Sequence, residues 1–234
     1  MATETRSGFE KWKDGIDKAD ADWDGYDKLI RETVRDYNWH LRKTPGYREL
    51  NWQLVKAMIW TETGAGHREW NVRPIRIGVL GDKGLPALLS RREGSELVVP
   101  YSLVGREVQT VPRENIRAGV GYMLMRMAEY GFASIPDRDH RIFEVTVGPG
   151  DHGLERVARR CGSTSEILMK LNPAVRAVNP GQVLKCQKAT VQKVITGWRS
   201  FDYTTIALRY NGNGDPNYAS KLEYSFNVIR SRAQ

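Results

Sequence analysis

Residues 54–66 read "LVKAMIWTETGAG", an apolar run that carries one carboxylate, Glu62, and stops at two glycines, Gly64 and Gly66. Val55, Ile59 and Glu62 fall at i, i+4 and i+7, so Glu62 continues the apolar stripe of a helix instead of its solvated face. The spacing predicts a helix over Trp52–Thr63 with Glu62 in its last turn. There the negative end of the helix dipole opposes ionisation, and partial burial opposes it further, so both effects raise the carboxyl pKa. Moving a Glu from about 4.3 to about 6.5 takes on the order of 3 kcal/mol, which partial burial can supply. A carboxylic acid that keeps its proton near neutral pH can act as general acid on a glycosidic oxygen. On spacing alone, a helix-end Glu in water is the alternative.

Outward from this stretch, Phe9–Arg42 reads as one helix, with Trp12, Ile16, Trp23, Ile30, Val34 and Tyr37 at roughly helical spacing. Pro45 and Gly46 punctuate it. A loop-rich stretch, "NVRPIRIGVLGDKGLPALL", precedes a helix from Asn115 to Tyr130 with Ile116, Val120, Leu124 and Met127 on one stripe. From Ile142 the pattern becomes strand, helix, helix, strand: "IFEVTV", then "GLERVARRCG" with Leu154, Val157, Ala158 and Cys161 inward, then a helix behind a Ser163-x-x-Glu166 capping box, then "NPGQVLKCQ". The segment that follows returns to helical periodicity, with Tyr218, Leu222, Tyr224 and Phe226 among its apolar anchors. The expectation is an α+β chain: a mostly helical domain in two parts, 1–141 (with an N-terminal helical segment, 9–42) and 189–234, interrupted by a small βααβ module at 142–188.

Three ordered stretches, "LVKAMIWTETGAG", "NIRAGVGYML" and "TTIALRYNGNGDPNYASKL", resemble the signature motifs of the lytic transglycosylase and goose-type lysozyme superfamily. The resemblance implies a lysozyme-like fold and cleavage of the β-1,4 bond between N-acetylmuramic acid and N-acetylglucosamine in peptidoglycan. It makes Glu62 the acid and then the base, has Tyr210 hold Glu62 and the glycan, and places Thr63, Asn115 and Asn211 at the groove, with Thr63 bonded to the carboxylate. Two positions depart from the pattern: Arg76 stands where the family has Gln in its Gly-Leu-Met-Gln turn, and Arg209 precedes Tyr210 in place of Ala; Arg76 and Asp82 are nonetheless expected among the residues of the groove that bind substrate. Glycosidases usually pair two carboxylates, about 5 Å apart for retention or roughly 6.5 to 9.5 Å for inversion. The family's transglycosylases use one, because the substrate's own 6-hydroxyl attacks and leaves a 1,6-anhydro end. Asp82 is the candidate partner if a second carboxylate takes part.

The 143–186 stretch, "FEVTVGPGDHGLERVARRCGSTSEILMKLNPAVRAVNPGQVLKC", is similar to a LysM module. The resemblance implies binding of N-acetylglucosamine-containing chains by the loops at Gly150, Asp151 and Leu154 and at Asn172 and Pro173. A binder joined to a cutter raises local substrate concentration. A non-catalytic wall-binding protein, a spike or an adaptor, is the competing reading.

A formal charge of +8 favours an anionic partner, and wall polymers, nucleic acid and acidic membranes all qualify on charge. The basic residues are spread along the chain without a dense run or an RNP-like aromatic motif, which puts nucleic acid behind. No apolar run reaches the roughly 18 residues that span a bilayer, so no membrane insertion is expected, and "MATETRSGFEKWKDG" lacks the marks of a signal peptide. A wall substrate with no such peptide implies delivery by another machine, a contractile secretion system or a phage tail, and for an antibacterial effector an immunity protein. No cofactor and no metal are expected: the four histidines show no i, i+4 pairing. "DADWDG" at Asp20–Gly25 opens like an EF-hand loop, but position twelve is Arg31 and position eight Asp27, so a solvated helical face is expected there. Cys161 and Cys186 are either one disulfide or two buried thiols.

Overall fold

The computed structural model describes residues 7–212 and 214–233. It is a mixed α+β protein, about 49% helix and 13% strand, with two small antiparallel sheets. The chain forms two compact units: one runs up to Glu129 and resumes at Ile195, and the other comprises Tyr130–Val194. Among the described residues no helix is long and apolar enough to cross a membrane.

In the first unit the helices are α1 (Gly8–Asp17), α2 (Asp27–Leu41), α3 (Trp52–Glu62), α4 (Gly84–Ser90), α5 (Ser95–Val98), α6 (Gly105–Thr110) and α7 (Pro112–Met127). The expected single helix over Phe9–Arg42 is therefore broken between α1 and α2. The Asp20 carboxylate accepts from the Asp22 N–H and caps a 3₁₀ turn, Ala21–Asp24, so a local side-chain bond outcompetes the helix. This turn, and not a helical face, is the form of the acidic stretch. It sends Trp23 inward, where its ring meets Trp60 at 5.1 Å and its carbonyl accepts from Trp60 Nε1 at 3.1 Å.

Helix α3 is the centre of the unit. Every residue from Leu54 to Trp60 is buried, Lys56 included, as befits a helix apolar nearly all round. The buried Lys56 ammonium is answered by Asp24 at 2.5 Å and Asp27 at 2.7 Å, so one carboxylate of the EF-like stretch and one from the start of α2 tie the 3₁₀ turn and α2 to α3. Its stop is dictated sterically: Gly64 has φ +71, and a Cβ there would run into the Trp23 indole. Helix α7 buries the expected stripe of Ile116, Val120, Leu124 and Met127 together with Asn115, and it ends at Met127, short of the expected Tyr130. At Gly119 a Cβ would collide with Ile75, so the close approach of the 74–78 loop to α7 depends on that glycine.

After α7 the chain becomes strand β1 (Ala128–Pro136), paired with β4 (Ala189–Trp198). The helical reading of the segment after 189 fails in its first ten residues. Thr190, Val191, Val194, Ile195 and Thr196 are β-branched, stiff at χ1 and better suited to a pleated strand. The second unit accordingly starts earlier and ends later than 142–188. The first unit resumes within β4, at Ile195, and continues with α10 (Tyr203–Ile206), one π-helical turn (Ala207–Asn211) and α11 (Tyr218–Arg232), which packs along α3.

The second unit has the expected order: β2 (Ile142–Thr146), α8 (Leu154–Arg160), α9 (Ser165–Leu171) and β3 (Val183–Gln187). Antiparallel pairing of Ile142 with Gln187 through Thr146 with Val183 turns Phe143, Val145, Leu184 and Cys186 toward a core completed by Val147, Val157, Ala158 and Leu168. The cap of α9 is Thr164, whose hydroxyl accepts from the Ile167 N–H, and not Ser163, which donates to the Gln187 carbonyl. Cys161 and Cys186 are free thiols, 2.9 Å apart, and burial pushes the Cys161 thiol up to about 12.

Candidate functional site

Glu62 is the last residue of α3, at the floor of a hollow of about 170 Å³. Ile75, Arg76, Ile77 and Asp82 line one side, and Tyr122, Tyr210 and Asn211 the other. Wider hollows exist, such as the roughly 350 Å³ one beside Leu88 and Tyr101, but the narrow one holds a carboxyl whose proton the fold retains.

Three devices build its first wall from the 63–83 loop. The Thr63 hydroxyl donates to the Pro74 carbonyl at 2.8 Å and more weakly to Ile59, so it pins the loop and does not bond the Glu62 carboxylate as expected. Asn115, fully buried on α7, accepts from the Ile75 N–H at 3.0 Å and donates to the Ile77 and Val108 carbonyls at 2.9 and 3.0 Å. It shapes the hollow from behind without lining it. Asp82 accepts from the backbone N–H groups of Gly78, Gly84 and Leu85 at 2.7, 2.7 and 3.0 Å, closing the loop onto the start of α4.

The second wall comes from the π-helical turn and α11. A π turn is uncommon and recurs at functional sites; this one brings Tyr210 to the hollow, its ring 5.8 Å from Tyr122 and 6.1 Å from Tyr218. The Tyr210 hydroxyl donates over 3.4 Å to the Ile75 carbonyl. Asn211 lines the hollow while its side-chain oxygen accepts from the Asp215 N–H. The direct partner of the carboxylate is Tyr218, whose hydroxyl donates to Glu62 Oε1 at 3.0 Å.

Burial drives the Glu62 carboxyl from 4.5 to about 7, assisted by the charges of Asp215 and Asp82 and opposed by the Tyr218 hydrogen bond and the Arg76 guanidinium. Both phenols, Tyr210 and Tyr218, are raised well above their ordinary range, by burial first and then by Glu62, so they remain donors. The site therefore offers a carboxyl with its proton available near neutrality and a phenol ready to hold the carboxylate left behind. No family model, curated protein or solved structure matches the chain.

The structure thus brings Glu62, Arg76, Asp82, Tyr210 and Asn211 to one hollow and places Thr63 and Asn115 in its supports. Tyr218 is the residue that sequence reasoning missed: read as an apolar anchor of a helix, it is a buried anchor whose hydroxyl faces the acid. The available signal was the chemistry of tyrosine, since a buried phenol needs a partner.

In the second unit Asp151 is nearly buried and committed to the fold. It accepts from the Gly148 N–H at 2.8 Å and from Arg160 at 2.6 Å, and that guanidinium holds the carboxyl below its ordinary range. The Asn172 amide donates to the Leu168 and Lys185 carbonyls and accepts from the Lys185 N–H. Leu154 packs against the core, and Gly150 and Pro173 are exposed. Of the five residues expected to touch a sugar, two polar ones spend their side chains on internal bonds.

Proposed function

We propose that the first unit cleaves peptidoglycan glycan strands at the bond between N-acetylmuramic acid and N-acetylglucosamine, with Glu62 as acid and then base. The observation that carries this reading is a carboxyl raised to about 7 at the floor of an open hollow, held by a phenol. The substrate class rests on the resemblance of the three motifs around Glu62, Asn115 and Tyr210 to the transglycosylase and goose-type lysozyme superfamily. Glu62 gives its proton to the glycosidic oxygen, which leaves with the bonding electrons. Its carboxylate, held by the Tyr218 hydroxyl, then takes the proton of the hydroxyl that attacks C1.

The neighbouring carboxylates favour a one-carboxylate course. Three backbone N–H bonds fasten Asp82 in its loop, and Asp215 is taken by Lys221 at 2.7 Å and the Asn217 N–H at 2.9 Å. With neither free to act as nucleophile, the substrate's 6-hydroxyl is the better attacking group, since it is already held beside C1. Fragments should carry 1,6-anhydro ends, one water lighter than reducing ends. The second unit, in this reading, is a LysM-like module that holds N-acetylglucosamine chains through backbone and the exposed Gly150 and Pro173. Incubating purified protein with peptidoglycan tests the cleavage. Wild type should release soluble fragments and Glu62→Gln none; equal release removes Glu62 as the acid, and none from either leaves the non-catalytic wall-binding reading in its place.

A further inference from the structure

Arg76 is held in a conformation that its residue type resists. Its φ is +54, in the left-handed region where a non-glycine residue pays roughly 1 to 2 kcal/mol. The backbone is clamped on both sides, for Asn115 binds the N–H of Ile75 and the carbonyl of Ile77, and both isoleucines are buried. Between them Arg76 is exposed and lines the hollow with Glu62. Among the described residues no carboxylate lies within ion-pair distance of its guanidinium. A strained, braced and unpaired cation beside the acid is an odd neighbour, because positive charge favours loss of the Glu62 proton. Of the other groups facing Glu62, Tyr122 from α7, Tyr210 from the π turn and Tyr218 from α11 are phenols, while the carboxylates of Asp82 and Asp215, held by their own donors, offset its effect on Glu62 from beyond ion-pair distance of the guanidinium.

An anion brought by the substrate removes the conflict. Resting on the cleavage reading above, we propose that Arg76 is the specificity-determining residue of this site, taking a carboxylate carried on the 3-O side chain of the sugar whose C1–O bond is cut. Hydroxyl and acetamido groups make the rest of the glycan neutral, so this side chain is where negative charge stands close to the reacting carbon. A guanidinium fork suits a carboxylate in two-point contact. The carboxylate is either the lactyl group's own, on strands stripped of peptide, or one belonging to an attached peptide. Once it is bound, the local positive charge is cancelled and Glu62 keeps its proton until the bond breaks.

The test compares stripped strands, peptide-bearing strands and neutral N-acetylglucosamine oligomers of equal length, cut by wild type, Arg76→Gln, Arg76→Lys and Arg76→Gly. Wild type should prefer acidic over neutral glycan at least tenfold in kcat/KM, with the difference in KM; Arg76→Gln should lose the preference and Arg76→Lys keep part of it. Preference for stripped strands assigns the lactyl carboxylate, and preference for peptide-bearing strands assigns the peptide's. Arg76→Gly should raise Tm by relieving the backbone while losing the preference, which a merely structural role would not produce. Calorimetry with a stripped tetrasaccharide provides a readout without turnover: Glu62→Gln should bind it at least tenfold more tightly than Glu62→Gln/Arg76→Gln. If wild type cuts nothing, the cleavage reading falls while calorimetry still decides the carboxylate. An unchanged substrate preference in Arg76→Gln, or equal binding by the two calorimetry variants, overturns the proposal.

Discussion

Replacing Glu62 by Gln removes an ionisation while keeping the shape and an oxygen for Tyr218 to donate to. In the native protein the carboxyl is raised from 4.5 to about 7, whereas in the unfolded chain it titrates near its ordinary value. Between those pH values the unfolded chain releases its proton first, so stability falls as pH rises through the window and is level above it. The full shift corresponds to about 3 kcal/mol, a ceiling because Glu62 keeps some contact with water in the hollow. Glu62→Gln has no such fall: at pH 4 it should match wild type, and at pH 8 it should be the more stable by up to about 3 kcal/mol. Urea unfolding from pH 4 to 8, followed by tryptophan fluorescence, reads this in part from Trp60 on α3 and from Trp23 and Trp70 clustered with it. A variant no more stable than wild type at pH 8 would refute the claim that the carboxylate is costly in its site.

The same geometry predicts the effect of the residue that sequence reasoning overlooked. Tyr218→Phe removes a donor to a charged acceptor, which is worth about 1.5 to 3 kcal/mol, so the alkaline limb of the activity profile should move up by about 1 to 2 pH units, with kcat lowered. Asn115→Leu leaves the Ile75 N–H and the Ile77 and Val108 carbonyls unpaired in the core; thermal or urea unfolding should show a loss of about 3 to 5 kcal/mol.

Periodicity exposed the parts of this fold that bury one regular stripe. Helix α3, the Ile116–Met127 face of α7 and the strand, helix, helix, strand order from Ile142 were all legible, because spacing reports burial directly. The reading failed where a local bond or a pairing partner decides. Asp20 breaks the long N-terminal helix with a bond to a backbone N–H two residues away, and β4 exists because β1 lies beside it, a pairing 60 or so residues distant that spacing cannot show. In the site, Glu62 was readable as a carboxyl on an apolar stripe, and Asn115 and Asp82 as polar residues in suggestive places. The bracing of the Ile75–Ile77 loop by Asn115 and the reach of Tyr218 across from α11 depend on partners 38 to 156 residues away, while Asp82 bonds backbone N–H groups only two to four residues off, local geometry that spacing does not report.

The central claim, that Glu62 keeps its proton to near neutrality and gives it to the glycan, is tested most directly by one paired titration. The carboxyl carbon of Glu62, followed by ¹³C NMR in the free protein, is set against the pH dependence of kcat/KM for glycan cleavage. Both should break at the same pH, at about 7. A carboxyl that titrates between 4 and 5, or an activity limb that ignores its titration, would contradict the account.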